Sequence, residues 1–394
     1  MDKEKKPNRY SGRGGLGAVM GSKKLKGIVV EEKGTVEIKN KEKYNEILKE
    51  YSEVVLNAPT SVSYKTLGTA ATVRTTNDLT GLPVTNFKGA KFEHAEEISG
   101  ESLHRLIKER GGEGKTAHAC MPGCIIQCSN VVPDEEGKTI VSPLEYETIG
   151  LMGSNLGIGD LDTIAKLNVV CNDLGVDTIE TGAAMGMAME AGIVEFGDNE
   201  AALNLLDEIR TGTELGKLLS KGTLIAGKAL GVKNIPVING QAMPAYDPRA
   251  IKAMGVTFAT SPMGADHTYG PVIKSEDAVE ASKAAQIMMA KIDCLGVCMF
   301  LRGAVAKHMD LFVDLVNAVH GWDLDMDWLE DIALEAIRDE HKFNELAGFT
   351  KEDYRMPKAF TNREIDSTNQ VFDIDKDELD ELRLWHDKNK IIYR

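Results

Sequence analysis

Three of the chain's six cysteines fall within nine residues, in Cys120-Met-Pro-Gly-Cys124-Ile-Ile-Gln-Cys128. Loop thiols this close cannot pair among themselves without strain, so the spacing suits a soft metal centre better than a disulfide. An iron–sulfur cluster asks for four thiolates. The fourth is offered downstream in Asp293-Cys294-Leu295-Gly296-Val297-Cys298, about 170 residues away. Zinc is a second reading, although C-x3-C-x3-C lacks the paired cysteines, repeated about a dozen or more residues later, of common zinc sites. The spacing also differs by one residue from the C-x3-C-x2-C of radical enzymes that use S-adenosylmethionine. Purely structural cysteines would scatter through a core instead of gathering around Pro122 and Gly123. Iron–sulfur is the favoured reading.

Other residues could do acid, base or binding chemistry. Glu145 and Glu147 stand among Pro143, Leu144, Tyr146 and Ile149, an apolar setting that raises a carboxyl pKa, unless they begin an amphipathic helix as solvated side chains. His267 lies in the glycine-rich Ser261-Pro-Met-Gly-Ala-Asp266-His267-Thr-Tyr-Gly270, downstream of Asp247-Pro-Arg249; such a histidine suits general acid or base work, or a structural role. Two segments echo each other, Asn172-Asp-Leu-Gly175-Val-Asp177 and Asp293-Cys-Leu-Gly296-Val-Cys298. Each reads as a helix end, and each offers carbonyls and a carboxylate or amide to the N–H edge of a flat heterocycle. Near the start, Gly12, Gly14 and Gly17 formally satisfy G-x-G-x-x-G. A dinucleotide site needs a strand before the glycines and a helix after them; here polar residues precede and Ile28-Val29-Val30 follows. What remains is a loop of backbone N–H groups around Arg13, with Lys23, Lys24 and Lys26 behind it, suited to a phosphate or to a tight turn into a hairpin.

The elements that must position these groups are mainly helical. Periodicity predicts helices near 41–55, from Asp160 to Gly175, from Asp177 through Gly192, over 200–210 and 212–230, from Ser275 to about Lys291, and over 309–320 and 326–346. Asp177-Thr-Ile-Glu180 has the form of a capping box. A short acidic helix is expected around Asp377 to Trp385. Residues 26–38 read as a short β-hairpin around Lys33-Gly34, and 59–90 as loop. The expected division is 1–40 as glycine loop and hairpin, 41–235 as a helical domain with the cysteine cluster, and 236–394 as a helical domain with the fourth cysteine. With 394 residues, 42% of them hydrophobic, the chain can bury a sizeable core. A formal charge of −15 argues against nucleic acid or an anionic membrane surface as partner. No apolar run is long enough to span a bilayer, the start is charged, and reduced thiols fit a cytoplasmic protein.

Taken together, these motifs resemble the tungsten-containing aldehyde ferredoxin oxidoreductase family. The glycine loop, the cysteine cluster, the paired Asp/Asn-x-x-Gly segments, Asp247-Pro-Arg249 and Gly264-Ala-Asp-His267 occur in that family's order, over residues 9 to 385. The resemblance implies the family's helical second and third domains, a bis-pterin tungsten or molybdenum cofactor, one [4Fe-4S] cluster, a small aldehyde or acid substrate, and ferredoxin as electron acceptor. By position, Cys120, Cys124, Cys128 and Cys298 would ligate the cluster. Asn172, Gly175, Asp177, Asp293 and Gly296 would line the pterins, and Arg13 with Gly14, Gly15 and Gly17 would meet a pterin phosphate. Glu147 and His267 would be the acid/base groups, with Glu145 as the alternative to Glu147.

Three departures from the family pattern stand out. The usual cluster spacing is C-x2-C-x3-C, Asn172 stands where the first segment has Asp, and the family's N-terminal β domain does not precede the glycine loop. A separate chain supplying that domain, a truncated form, and a non-catalytic iron–sulfur relay or scaffold subunit are the resulting expectations.

Overall fold

The computed structural model describes residue 10, residues 12–31 and residues 33–383. The expected mainly helical fold is what is observed. After the glycine loop comes α1 (Leu16–Ser22), entered through Gly15 at φ 85. Residues 26–38, expected as a hairpin, hold no strand among those described; Ile28, Val29 and Val30 are 73%, 99% and 82% exposed. A two-stranded hairpin with no apolar face to bury is marginal in water, whatever its turn signal. The antiparallel sheet lies further along, as β1 (Lys115–His118), β2 (Ser129–Pro133) and β3 (Thr139–Val141) in that order. The cysteine stretch is therefore the loop between β1 and β2.

Asn40 caps α2 (Lys41–Asn57), accepting from the Lys43 N–H at 3.0 Å. Much of 59–90 is not loop. Pro59 opens α3 (Pro59–Leu67), where its missing N–H costs nothing, and α4 (Thr72–Asp78) follows a left-handed Gly68. Next come α5 (Gly100–Arg110), α6 (Tyr146–Met152), α7 (Leu161–Leu174) and α8 (Thr178–Glu190). Asp160 caps α7 as predicted, and Gly175 ends it at φ 70. The segment 212–230 is two helices, α10 (Glu214–Leu219) and α11 (Thr223–Ala229), after α9 (Asn199–Thr211). A two-stranded pair, β4 (Val237–Ile238) and β5 (Gln241–Ala242), leads to α12 (Lys252–Thr260). The long helix α13 (Ala278–Cys294) is capped by Asp277 and not Ser275, because Asp277 accepts from both Val279 and Glu280 at 3.0 Å. The rest is α14 (Arg302–Val305), α15 (Asp310–His320), α16 (Met326–Leu346), α17 (Lys358–Asn362) and α18 (Lys376–Arg383). Among the described residues no helix is long and apolar enough to cross a membrane.

All seven residues of α6 are buried. Its approach to α8 and to the strand-like 242–247 segment depends on missing side chains: a Cβ on Gly182 would lie 2.7 Å from the Leu151 carbonyl, and one on Gly150 would lie 2.4 Å from the Ala245 Cβ. The largest core cluster surrounds α6, α7 and α8. A second joins α12 to Phe87, Phe360 and Phe372, and a third packs Tyr51 and Val55 of α2 with Ile126, Cys124 and Cys128 of the cysteine loop.

The Asp247–Arg249 pair is 1% and 0% exposed. Arg249 donates to both oxygens of Asp247, at 2.9 and 2.5 Å, and to the carbonyls of Phe87 and Arg363. Phe87 closes a run with Thr85 and Asn86 in which all three residues have left-handed φ angles of 44 to 57. The guanidinium thus stabilises a backbone that side-chain-bearing residues avoid. Arg249→Met, which keeps the apolar stem but strands the Asp247 carboxylate, is expected to lower unfolding free energy by about 3–5 kcal/mol in a urea titration; a loss below about 1 kcal/mol would show the pair to be dispensable.

Candidate functional site

The first turn of α6 aims Glu147 inward, 9% exposed. Its Oε2 accepts from the Ala245 N–H at 2.8 Å. Its Oε1 is buried without a hydrogen-bond partner, 3.9 Å from His267 Nε2, and His267 Nδ1 is likewise buried and unpaired. His267 is carried by a turn that Asp266 closes, accepting from the Thr268 and Tyr269 N–H groups at 2.7 and 3.0 Å and from the Thr268 hydroxyl. Burial raises the Glu147 pKa above the usual carboxylate range, and Asp266 adds to it; His267, the Ala245 N–H and Arg13 oppose. Asp266 goes the other way. Burial would raise it, but His267, the Thr268 bonds and Arg13 together hold it low. Orphaned buried polar atoms are rare, and this neighbourhood holds two, Glu147 Oε1 and the other ring nitrogen of His267.

Glu145 does not share this place. It precedes α6 and accepts from the Thr69 hydroxyl, which in turn accepts from the Tyr146 N–H at 2.8 Å. Its charge falls on Cys128 instead.

Cys120 and Cys298 are exposed, and Cys124 and Cys128 are half-buried. Burial pushes the Cys128 thiol up to about 12, and Glu145 with the sulfurs of Cys298, Cys124 and Cys120 adds to the effect. The other three thiols named in the sequence therefore lie within electrostatic reach of Cys128, joining the β1–β2 loop to the residues just after α13. Left-handed Gly123 and Gln127 curl the loop, and the Gln127 N–H points at Cys124 Sγ, 3.3 Å away. Among the described residues no three His, Cys, Asp or Glu side chains converge as they would on a single ion. The four thiols are soft sulfur donors of the kind an iron–sulfur cluster takes.

The two echoing segments both end helices with open glycines. Gly175 and Gly296 have φ 70 and 65, and a Cβ at either would meet nothing within 4 Å. The Asn172 carbonyl accepts from the Tyr10 hydroxyl. Asp293 is exposed near the end of α13, and its carboxyl is raised by desolvation and by the charge of Asp266. Gly14 and Gly15 are left-handed, with Gly14 against Met263, while a Cβ on Gly17 would meet open space. Arg13 is engaged by protein groups: Asp177 at 2.9 Å, Glu180 at 3.5 Å, and the carbonyls of Ala242 and Ala265 at 3.0 and 3.2 Å.

The capping box forms only by half. Asp177 accepts from Ile179 and Glu180 N–H groups, but the Glu180 side chain turns away to the Thr223 and Ala242 N–H groups, at 2.8 and 2.9 Å. Sequence reading missed Glu180 as a site organiser; the available signal was an acidic side chain at the head of an Ala-, Met- and Gly-rich helix with no polar face. It also missed the Ala245 N–H, which no side chain advertises.

The sequence model of a family described as aldehyde ferredoxin oxidoreductase, domains 2 and 3, matches residues 46–386. The chain belongs to that family. It is 31% identical over 386 residues to the tungsten-containing aldehyde ferredoxin oxidoreductase of Pyrococcus furiosus, and 30% identical over 385 residues to that of Thermococcus kodakarensis. Each match covers 90% of this chain and 62% of the relative, so the chain spans somewhat under two thirds of these proteins' length. An aliphatic sulfonate oxidoreductase, WOR-like subunit, of P. furiosus is 27% identical over 356 residues, covering 83% of this chain and 54% of that one. Among solved structures, the active-site complex BamBC of benzoyl-coenzyme A reductase in complex with 1,5-dienoyl-CoA matches with a TM-score of 0.66, covering 95% of this chain and 66% of that one. At 17% identity that likeness concerns the fold alone.

A pH signature follows from the Glu147 environment. A carboxyl whose folded pKa is raised adds stability that is fully present below the ordinary carboxylate range and is lost as pH rises through the folded value. Glu147→Gln removes that loss. In urea titrations from pH 4 upwards, wild type should lose ground to the variant as pH rises; parallel stability curves would show that Glu147 is not desolvated as described.

Proposed function

We propose that this chain forms the helical, cofactor-holding part of a tungsten- or molybdenum-pterin, iron–sulfur oxidoreductase that interconverts an aldehyde and a carboxylate, with ferredoxin as electron partner. The observation that carries this reading is the pair of unpaired, buried atoms, Glu147 Oε1 and His267 Nδ1, in a family whose relatives are named as oxidoreductases. Cys120, Cys124, Cys128 and Cys298 would hold the cluster. Asn172, Gly175, Asp177, Asp293 and Gly296, with Gly14, Gly15 and Gly17, would line the pterins, the open Cβ positions of Gly15, Gly17, Gly175 and Gly296 leaving room for flat rings. When bound, these groups supply the electron-transfer chemistry that amino-acid side chains lack.

The chain's own residues handle the proton. The Ala245 N–H fixes Glu147 Oε2, so Oε1 is the oxygen that exchanges. With its proton affinity raised by burial, that carboxyl is suited to take a proton from a substrate group and return it. His267, 3.9 Å away, is held by its turn to present one ring nitrogen to Glu147 and the other to whatever occupies the adjoining space. Thr268 and Tyr269 fix Asp266, which keeps its negative charge beside the ring.

A second reading, an iron–sulfur relay subunit without its own turnover, is favoured by two features. Asn172 offers no charge to a heterocycle, and Arg13 has its donors committed to protein acceptors.

Elemental analysis of protein purified without oxygen tests both. About four Fe and one W or Mo per chain support the enzyme. Iron without W or Mo favours the relay, and zinc or no metal overturns both. In a metal-replete preparation, Glu147→Gln and His267→Asn should keep their metal and lose aldehyde oxidation by about 10²- to 10⁴-fold. Cys298→Ser should lose iron and visible absorbance together.

A further inference from the structure

Arg13 was expected to meet a phosphate, and the structure gives its guanidinium another occupation. The side chain is 10% exposed, and its donors reach four acceptors: Asp177 Oδ2 and Glu180 Oε2 on α8, the Ala242 carbonyl on β5, and the Ala265 carbonyl two residues before His267. Those acceptors are themselves fixed. Asp177 caps α8, and Glu180 binds the Thr223 and Ala242 N–H groups. One cation between two carboxylates leaves the spot net negative, so an incoming anion would have to displace an intact network and approach two like charges.

We propose that Arg13 is a positioning residue for the Glu147–His267 pair, an internal strap tying the glycine loop to the α8 cap and to the turn that carries His267, and that it is not the receptor of an anionic ligand group. The importance of that pair rests on the functional reading above; the strap does not. Its reach into the site is electrostatic as well as mechanical. Glu147 is faced by His267 and Asp266 from the 261–270 turn, by Tyr246 from the segment before Asp247, by Tyr146 on its own helix, and by Arg13 from the glycine loop. Arg13 and His267 both oppose the rise that burial imposes on the Glu147 carboxyl.

The test uses the full chain labelled with ¹³C-glutamate, with Glu147→Gln identifying the Glu147 carboxyl signal. In Arg13→Met the Glu147 titration should move to higher pH, with the proton held about threefold or more tightly, and amide exchange over residues 264–269 should accelerate. Arg13→Lys keeps the charge without the planar fork, so it should retain most of the titration midpoint while still loosening the turn. A folded Arg13→Met with both readouts unchanged overturns the proposal, as does an equal midpoint shift in the Lys and Met variants. If Arg13→Met does not fold, Asp177→Asn serves: the amide oxygen still caps α8, the charge partner is gone, and faster exchange at 264–269 is expected. Inorganic pyrophosphate should leave the Arg13 Nε signal of the wild-type chain unmoved, and a saturable shift overturns the proposal. None of these measurements needs metal or cofactor, so the strap can fail while the functional reading stands, and can hold while that reading falls.

Discussion

The burial of α6 is the constraint on which the candidate site depends. Seven residues are too few to hold a helix in water, so α6 exists because every side chain on it is covered. Covering a helix on all sides requires neighbours that come unusually close, and Gly150 and Gly182 supply the space. The same closeness removes water from Glu147. A carboxyl placed there is bonded through one oxygen to the Ala245 N–H, and its other oxygen is left without a hydrogen-bond partner beside His267. Packing and chemistry are thus one problem in this fold: loosening α6 would rehydrate Glu147 and return its pKa toward that of an ordinary carboxylate.

The long periodic helices α2, α7, α9, α15 and α16 were legible because each carries an apolar stripe to bury, and all but α15 begin on a side-chain cap, of which Asp160 was readable in the sequence. Short elements were not. The helices α3 and α4 look like loop because Thr and Ser recur in α3 and Thr in α4, with few apolar residues to set a period. The hairpin expected at 26–38 failed for the opposite reason: its local signals are strong, but no face exists to bury Val29. Within the site, the cysteines and the Glu147–His267 pair could be named from residue type and spacing. The roles of Glu180 and Arg13 could not, because each depends on backbone groups of Ala242 or Ala265 that are distant in the chain.

Glu145 and Glu147 show how a single backbone feature separates two chemistries. The residues are two apart, and both would read as the start of one amphipathic helix. Glu145 is still in the extended region, at φ −105 and ψ 160, while Glu147 has entered the helix. That change of conformation sends the first carboxylate to Thr69 and the Cys128 thiol and the second to Ala245 and His267. Thr69 secures the switch by accepting the Tyr146 N–H that a capping side chain would otherwise satisfy, while its own hydroxyl proton goes to Glu145. The thiol set and the Glu147–His267 pair are therefore joined through one turn of backbone, and a disturbance at Thr69 would be felt at both. Each carboxylate also disfavours added negative charge at its own centre. A thiolate at Cys128 beside Glu145 needs a cationic partner to form, which is the condition a metal centre meets and an empty loop of thiols does not.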